Sequence, residues 1–155
     1  MNDINNYLFG GGGHAAKFDK VGDKVKGTIS SVELQQQTSL EDNTPLFWDN
    51  GQPRMILVVT LQTDERSDGD DDGIRRVYAK GGKFEVDEGE GVSAKDAIAD
   101  AVKAAGAKSL DEGGELVVVH SGIAKRKTRG HNPAKLFRAQ YKAPVASVSA
   151  DDLFD

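Results

Sequence analysis

In the run Lys24-Val25-Lys26-Gly27-Thr28-Ile29-Ser30-Ser31-Val32-Glu33-Leu34-Gln35, apolar and polar side chains alternate, but the alternation changes phase midway. Val25 and Ile29 share one parity, whereas Val32 and Leu34 share the other. One extra residue near Ser30-Ser31 restores the pattern, which is the mark of a β-bulge. Gly27, close by, permits sharp bending. A long first strand that bends and serves two halves of a sheet is a feature of barrels.

Downstream, Gln36 to Pro53 reads as a loop holding Phe47 and Trp48 ahead of the turn signal Asp49-Asn50-Gly51. Arg54-Met55-Ile56-Leu57-Val58-Val59-Thr60-Leu61-Gln62 is almost wholly apolar and rich in β-branched residues, as a central strand is. An acidic, Gly-containing stretch, Asp64 to Gly73, reads as a solvated hairpin loop leading into a third strand, Ile74 to Lys80. There Val77 and Ala79 face one way, and Arg76, Tyr78 and Lys80 the other. Lys95 to Ala105 reads as a helix: Ser93 caps it, Asp96 takes the capping-box position, and Gly106 follows as the C-terminal stop. Its apolar stripe, Ile98, Ala101, Val102 and Ala105, is made of small side chains and suits a plug at a barrel end. Glu115 to Ile123 and Ala134 to Lys142 supply two more strands, with a basic loop, Ala124 to Pro133, between them. In the last strand Phe137 and Tyr141 share the core parity, opposite to Arg138.

The expected class is therefore all-β with one helix, in the order β-β-β-α-β-β. That order matches a five-stranded oligonucleotide-binding (OB) barrel with its helix between strands three and four. Three parts are expected: a flexible N-terminal arm over 1–20, an OB domain over 21–143 and a disordered acidic tail over 144–155. The arm contains Tyr7, Leu8 and Phe9 ahead of four consecutive glycines, Gly10 to Gly13. The apolar trio is either a strap on the body or a contact with a second copy, and with the edge strands it favours a dimer.

Composition narrows the chemistry. The chain has 155 residues, 18 of them Gly, and no Cys, which excludes disulfides, thiol catalysis and Cys-based metal centres. No signal-peptide pattern or long apolar run is present, so a soluble cytoplasmic protein without membrane contact is expected. The formal charge of −5 conceals a segregation. Asp64 to Asp72 carries six acids and one Arg, and Asp151 to Asp155 adds three acids. Leu116 to Ala150 holds seven Lys/Arg and no acid. A phosphate responds to the local field rather than the total, so the acidic balance does not exclude nucleic acid.

No enzymatic constellation is expected. The histidines, His14, His120 and His131, lack ligand spacing, and His120 reads as a hydrogen-bonded sheet residue. No cofactor and no metal are expected. Asp68 to Gly73 lacks the Glu of a calcium loop at the right distance. Lys80-Gly81-Gly82-Lys83 is either a plain turn or a phosphate seat.

Single-strand binding needs cations along a backbone path and rings on which bases stack. Phe47 and Trp48 occupy the first inter-strand loop, where Trp48 is either a core cap or a stacking ring. Tyr78 stands between Arg76 and Lys80, either packed under the helix or open to a base. Lys80 and Lys83 follow, and Lys125, Arg126, Lys127 and Arg129 crowd the last hairpin loop. These are the parts of an OB barrel that meet an oligonucleotide.

Two resemblances add to this. Asp151, Asp152, Leu153 and Phe154 form an acidic, apolar tip similar to that of bacterial single-strand DNA-binding proteins, which implies recruitment of replication and repair proteins. The match departs at Asp155, which takes the α-carboxylate off the aromatic residue. The run Pro45-Leu46-Phe47-Trp48-Asp49-Asn50-Gly51-Gln52-Pro53-Arg54-Met55 resembles a segment of OB-type proteins of tailed bacteriophages, particularly those infecting actinobacteria. That resemblance covers most of 17–142 and implies a replication or recombination protein that coats single-stranded DNA in the host cytoplasm. The alternative class is an OB-like module that binds a protein instead of nucleic acid.

Overall fold

The computed structural model describes residues 14–39, 41–67, 69–125 and 133–144. Along them run β1 (His14–Ala15), β2 (Lys24–Gln36), β3 (Met55–Gln62), β4 (Ile74–Ala79) and β5 (Val86–Gly89). The helix α1 (Ala94–Ala104) follows, then β6 (Glu115–Ala124) and β7 (Lys135–Lys142). Among the described residues the class is mostly β with one helix, as the periodicity predicts. Two short strands, β1 and β5, are additions to it.

Strand β2 bends as expected. Val25, Gly27 and Ile29 are buried in alternation, and the register against β3 shifts between Ile29 and Ser31. The shift returns Val32 to the core face, opposite the fully buried Val59. Lys24 to Thr28 pair with β6, while Thr28 to Gln36 pair with β3, so one strand serves two halves of the sheet. Gly27 makes the crossing possible. A Cβ there would sit 2.6 Å from the Gln62 carbonyl oxygen, far inside van der Waals contact.

The described strands form one mixed sheet in the order β1-β4-β3-β2-β6-β5, with β7 on the other edge of β6. The sheet is open, which corrects the expected closed barrel. Closure would require β4 to pair with β7. The outer edge of β4 instead takes β1 in parallel, His14 opposite Arg75, and the outer edge of β7 meets Val92 at Phe137. Helix α1 packs against β7, β4 and β6, buries Ala94, Ala97, Ile98 and Ala101, and leaves Ala105 outside. Both helix ends are as predicted. The Asp96 amide donates to Ser93 Oγ at 3.2 Å. Gly106, at φ +73°, ends the helix in a Schellman motif, with Gly106 N–H on the Lys103 carbonyl and Ala107 N–H on that of Val102.

The core gathers Val25, Ile29, Leu61, Val77, Ile98 and Leu116 from the facing elements. Tyr141 joins it, and its hydroxyl accepts the Asp111 amide at 3.0 Å. His120 is buried with Nδ1 3.2 Å from the Leu136 carbonyl oxygen, the sheet role expected of it.

Two further expectations change. The arm expected over 1–20 is part of the body from His14 onward. β1 pairs with β4, Ala16 and Phe18 pack against the core, and the Phe18 ring stands edge-on to Phe137 at 5.1 Å. Tyr7, Leu8, Phe9 and the four glycines lie outside the described residues. The acidic loop after β3 is not simply solvated. Asp71 is buried and forms a two-pronged ion pair with Arg75, at 2.9 and 2.6 Å. It also accepts the Ser67 and Gly73 amides, so a single carboxylate ties the loop to β4.

Candidate nucleic-acid interface

The connection between β2 and β3 is an ordered finger that continues the sheet. Leu46 lies between Gln37 and Arg54: its amide donates to the Gln37 carbonyl at 2.8 Å, and its carbonyl accepts the Arg54 amide at 3.0 Å. The first turn closes through Ser39 N–H on the Thr44 carbonyl, and the second through Trp48 N–H on the Gln52 carbonyl. At that second tip Asn50 Oδ1 accepts the Gln52 amide, and Gly51 supplies the left-handed φ of +86° that the Asp-Asn-Gly sequence announces. Two glutamines brace the finger at its root. Gln36 Nε2 donates to the Leu46 carbonyl, and Gln37 Nε2 to that of Met55.

Strand alternation carried through this finger sorts the candidate residues by face. Leu46, Arg54 and Ile56 line one groove together with Tyr78 and Lys80. Tyr78 lies opposite Val58, and Arg76 opposite Thr60, on the same outward face of β3 and β4. Trp48 joins them through Arg54, whose guanidinium carbon sits 4.5 Å from the centre of the indole. Trp48 is 49 % exposed and Tyr78 48 %, so neither is a core residue. The groove spans about 720 Å³ and is walled on its far side by Gln35 to Ser39 and Glu41.

Phe47 is not part of this arrangement. It bridges Pro53 and alternates to the reverse of the finger, the side of Met55 and Leu34, where it is 54 % exposed. Neighbours in sequence, Phe47 and Trp48 thus serve opposite faces.

The cations divide in the same way. Among the described residues Arg54, Arg76 and Lys80 take part in no ion pair. Arg54 Nε is buried without a hydrogen-bond partner among the described residues, and the guanidinium lies over the Trp48 ring. Lys83 lies in the strap from Lys80 to Glu85 that leads off the end of β4. The Lys125 amide donates to the Glu85 carbonyl at 2.8 Å, which sets the start of the last hairpin loop beside that strap. Lys125 itself pairs with Glu85, 3.7 Å away, so its charge is partly answered. Arg126, Lys127 and Arg129 lie outside the described residues, as do Asp151, Asp152, Leu153 and Phe154 of the tail.

Two participants escape the reading of the sequence. Arg54 reads there as the first residue of a central strand, and only its height above Trp48 marks it. Lys95, in the first turn of α1, lies across Gly81, where a Cβ would meet its Cδ at 3.0 Å, so it adds a cation beside Lys80. The helix Lys carried no functional signal, because the pairing of Lys95 N–H with the Lys80 carbonyl at 3.2 Å is a tertiary contact.

Among the described residues no group of three or more His, Asp or Glu could hold a metal ion, and no helix is long and apolar enough to cross a membrane. No family model matches the chain, and no curated protein or solved structure is significantly similar to it.

Proposed function

We propose that the protein binds single-stranded DNA without catalysing a reaction on it. The observation that carries this reading is the shared outward face of Trp48, Arg54 and Tyr78, flanked by Arg76 and Lys80, which take part in no ion pair among the described residues. Rings stack on any base, and Arg54, Arg76, Lys80, Lys83 and Lys95 supply charge for a phosphate path beside them. Binding of this kind is largely independent of sequence and falls steeply with salt.

An OB-type architecture is part of the same proposal. Its support is the chain order together with the pairs β2–β3, β3–β4, β2–β6 and β6–β7, and a helix between β4 and β6. These are the neighbours an OB barrel requires, short of the contact that closes it. In this frame the finger is the first binding loop and Lys125 to Pro133 the last. The resemblances of the Pro45 to Met55 run and of the acidic tip extend the proposal to phage replication or recombination in the host cytoplasm, with the tail recruiting partners.

A second reading has one observation in its favour. The reverse of the finger exposes Leu34, Phe47 and Met55, an apolar group that suits a protein partner. The deciding experiment is a titration of the single tryptophan, Trp48, with a mixed-sequence oligonucleotide at two salt concentrations. Saturable quenching that weakens with salt supports the DNA reading. Absence of quenching together with absence of a complex in filter binding leaves the protein-binding module.

A further inference from the structure

We infer that the groove beside Tyr78 discriminates between bases by their hydrogen-bonding edge, favouring bases with an exocyclic amine over thymine. This rests on the single-strand reading above and concerns the same site. The two walls of the groove differ in chemistry. On the β3 and β4 side stand Arg54, Tyr78 and Lys80, which offer a ring and positive charge. On the β2 side the wall runs from Gln35 to Ser39 and on to Glu41; Gln35 and Gln37 share the face of Ile56 and Arg54, whereas Gln36 pairs with Met55 and has the parity of the reverse face.

The orientation of the three amides is set by their partners. Gln36 Nε2 donates to the Leu46 carbonyl at 2.9 Å and Gln37 Nε2 to the Met55 carbonyl at 3.0 Å. Gln35 Nε2 donates to the Glu33 carboxylate at 3.2 Å. Each partner only accepts, so each amide must turn its nitrogen to that partner and its oxygen away. Among the described residues no group donates to any of the three oxygens. With the Glu41 carboxylate on the same wall, the β2 side therefore offers the Gln35 and Gln37 oxygens as unfilled acceptors, beside the Thr38 and Ser39 hydroxyls, which can donate or accept.

A strand laid across this face keeps its phosphates beside Lys80 and Arg76, where the charge is, and turns its base edges toward the glutamines. Cytosine brings an N4 amine and adenine an N6 amine, both donors to an amide oxygen. Thymine brings a carbonyl at the same place, acceptor against acceptor. Cytosine and thymine are the informative pair, since they are alike in size and differ there in edge chemistry.

The test compares oligo-dC, oligo-dT and oligo-dU of equal length at neutral pH, read by Trp48 quenching and by filter binding. A net hydrogen bond at a half-open site corresponds to roughly threefold to tenfold in affinity, so oligo-dC should bind tighter than oligo-dT by about that factor. Oligo-dU should behave as oligo-dT, because the methyl group is not what is read. Gln35→Leu, on the strand surface, should shrink the dC/dT ratio while leaving the melting temperature unchanged. Gln37→Leu should shrink it as well, at some cost to the finger. Equal, salt-sensitive binding of all three oligonucleotides would leave the DNA reading standing and overturn the discrimination. A ratio unchanged in both glutamine variants would overturn its assignment to these amides. Failure of every oligonucleotide to bind would remove the DNA reading, and this inference with it.

Discussion

Arg54 holds its guanidinium carbon 4.5 Å above the centre of the Trp48 ring, across the second turn of the finger. The pair joins a ring that a base can stack on to a cation that a phosphate can approach. Removing either member therefore tests a different half of the proposed interface.

Replacing Trp48 by Ala should weaken single-strand binding by ~1–3 kcal/mol, the usual worth of one ring-to-base stack. The thermal midpoint should stay close to wild type, because nearly half of the indole is already in water. Filter binding and a circular-dichroism melt measure the two quantities. A variant that loses its fold would place Trp48 in a structural role.

Arg54→Lys keeps the charge and loses the flat, weakly hydrated face that lies on the indole. A loss of about 0.5–1 kcal/mol in binding is expected, the range of an exposed cation–π contact. Trp48 emission should change in the free protein, since a neighbour resting on the ring has been replaced. Unaltered emission and affinity would mean that the stack is incidental.

Lys80→Gln and Arg76→Gln should each lower the slope of log K against log salt by roughly 0.7, as expected for one phosphate contact on a single strand. Lys125→Gln should lower it less, because Lys125 is partnered with Glu85 at 3.7 Å before any DNA arrives. Equal slopes for all three variants would argue that the path does not run along β4.

The Arg75 guanidinium, and then the Ser67 and Gly73 amides, hold the Asp71 carboxyl far below the usual carboxylate range. A carboxyl whose folded pKa is depressed adds stability that is complete above its unfolded pKa of about 3.9 and is lost as pH falls below that value. The wild-type melting temperature should therefore decline progressively from about pH 4 downward. Asp71→Asn should melt several degrees lower at pH 7, with a shallower acid limb. Melts from pH 7 to pH 2 check both features, and parallel curves would mean that this carboxylate does not govern acid stability.

Much of the architecture is legible in local pattern. The bulge at Ser30 follows from a change of phase between Ile29 and Val32, and the two ends of α1 from Ser93 and Gly106. Outward placement of Arg76 and Tyr78 follows from the inward parity of Val77 and Ala79. Strand β5 escapes the same reading because Val86-Asp87-Glu88-Gly89 has no apolar periodicity; pairing with β6 alone makes it a strand. Strand β1 is two residues long and carries no pattern at all.

The candidate site is legible in part. Tyr78 and Lys80 line one groove with Arg54, which lies on Trp48, while Phe47 turns away because adjacent residues in a strand face opposite sides. Arg54 and Lys95 were hidden, since what qualifies them is a ring and a glycine distant in the chain or across a turn.

The sequence by itself determined the class of the protein, the order of its main strands, the bend in β2 and the capped helix. Each of these depends on side-chain spacing within a few residues, which periodicity records. Tertiary structure alone decided that the sheet stays open at β4 and β7, that the acidic loop folds inward around Asp71, and that Arg54 lies on Trp48. Those outcomes turn on which edge, charge or ring arrives from elsewhere in the chain. Such encounters are set by the packing of the whole molecule and leave no trace in local spacing.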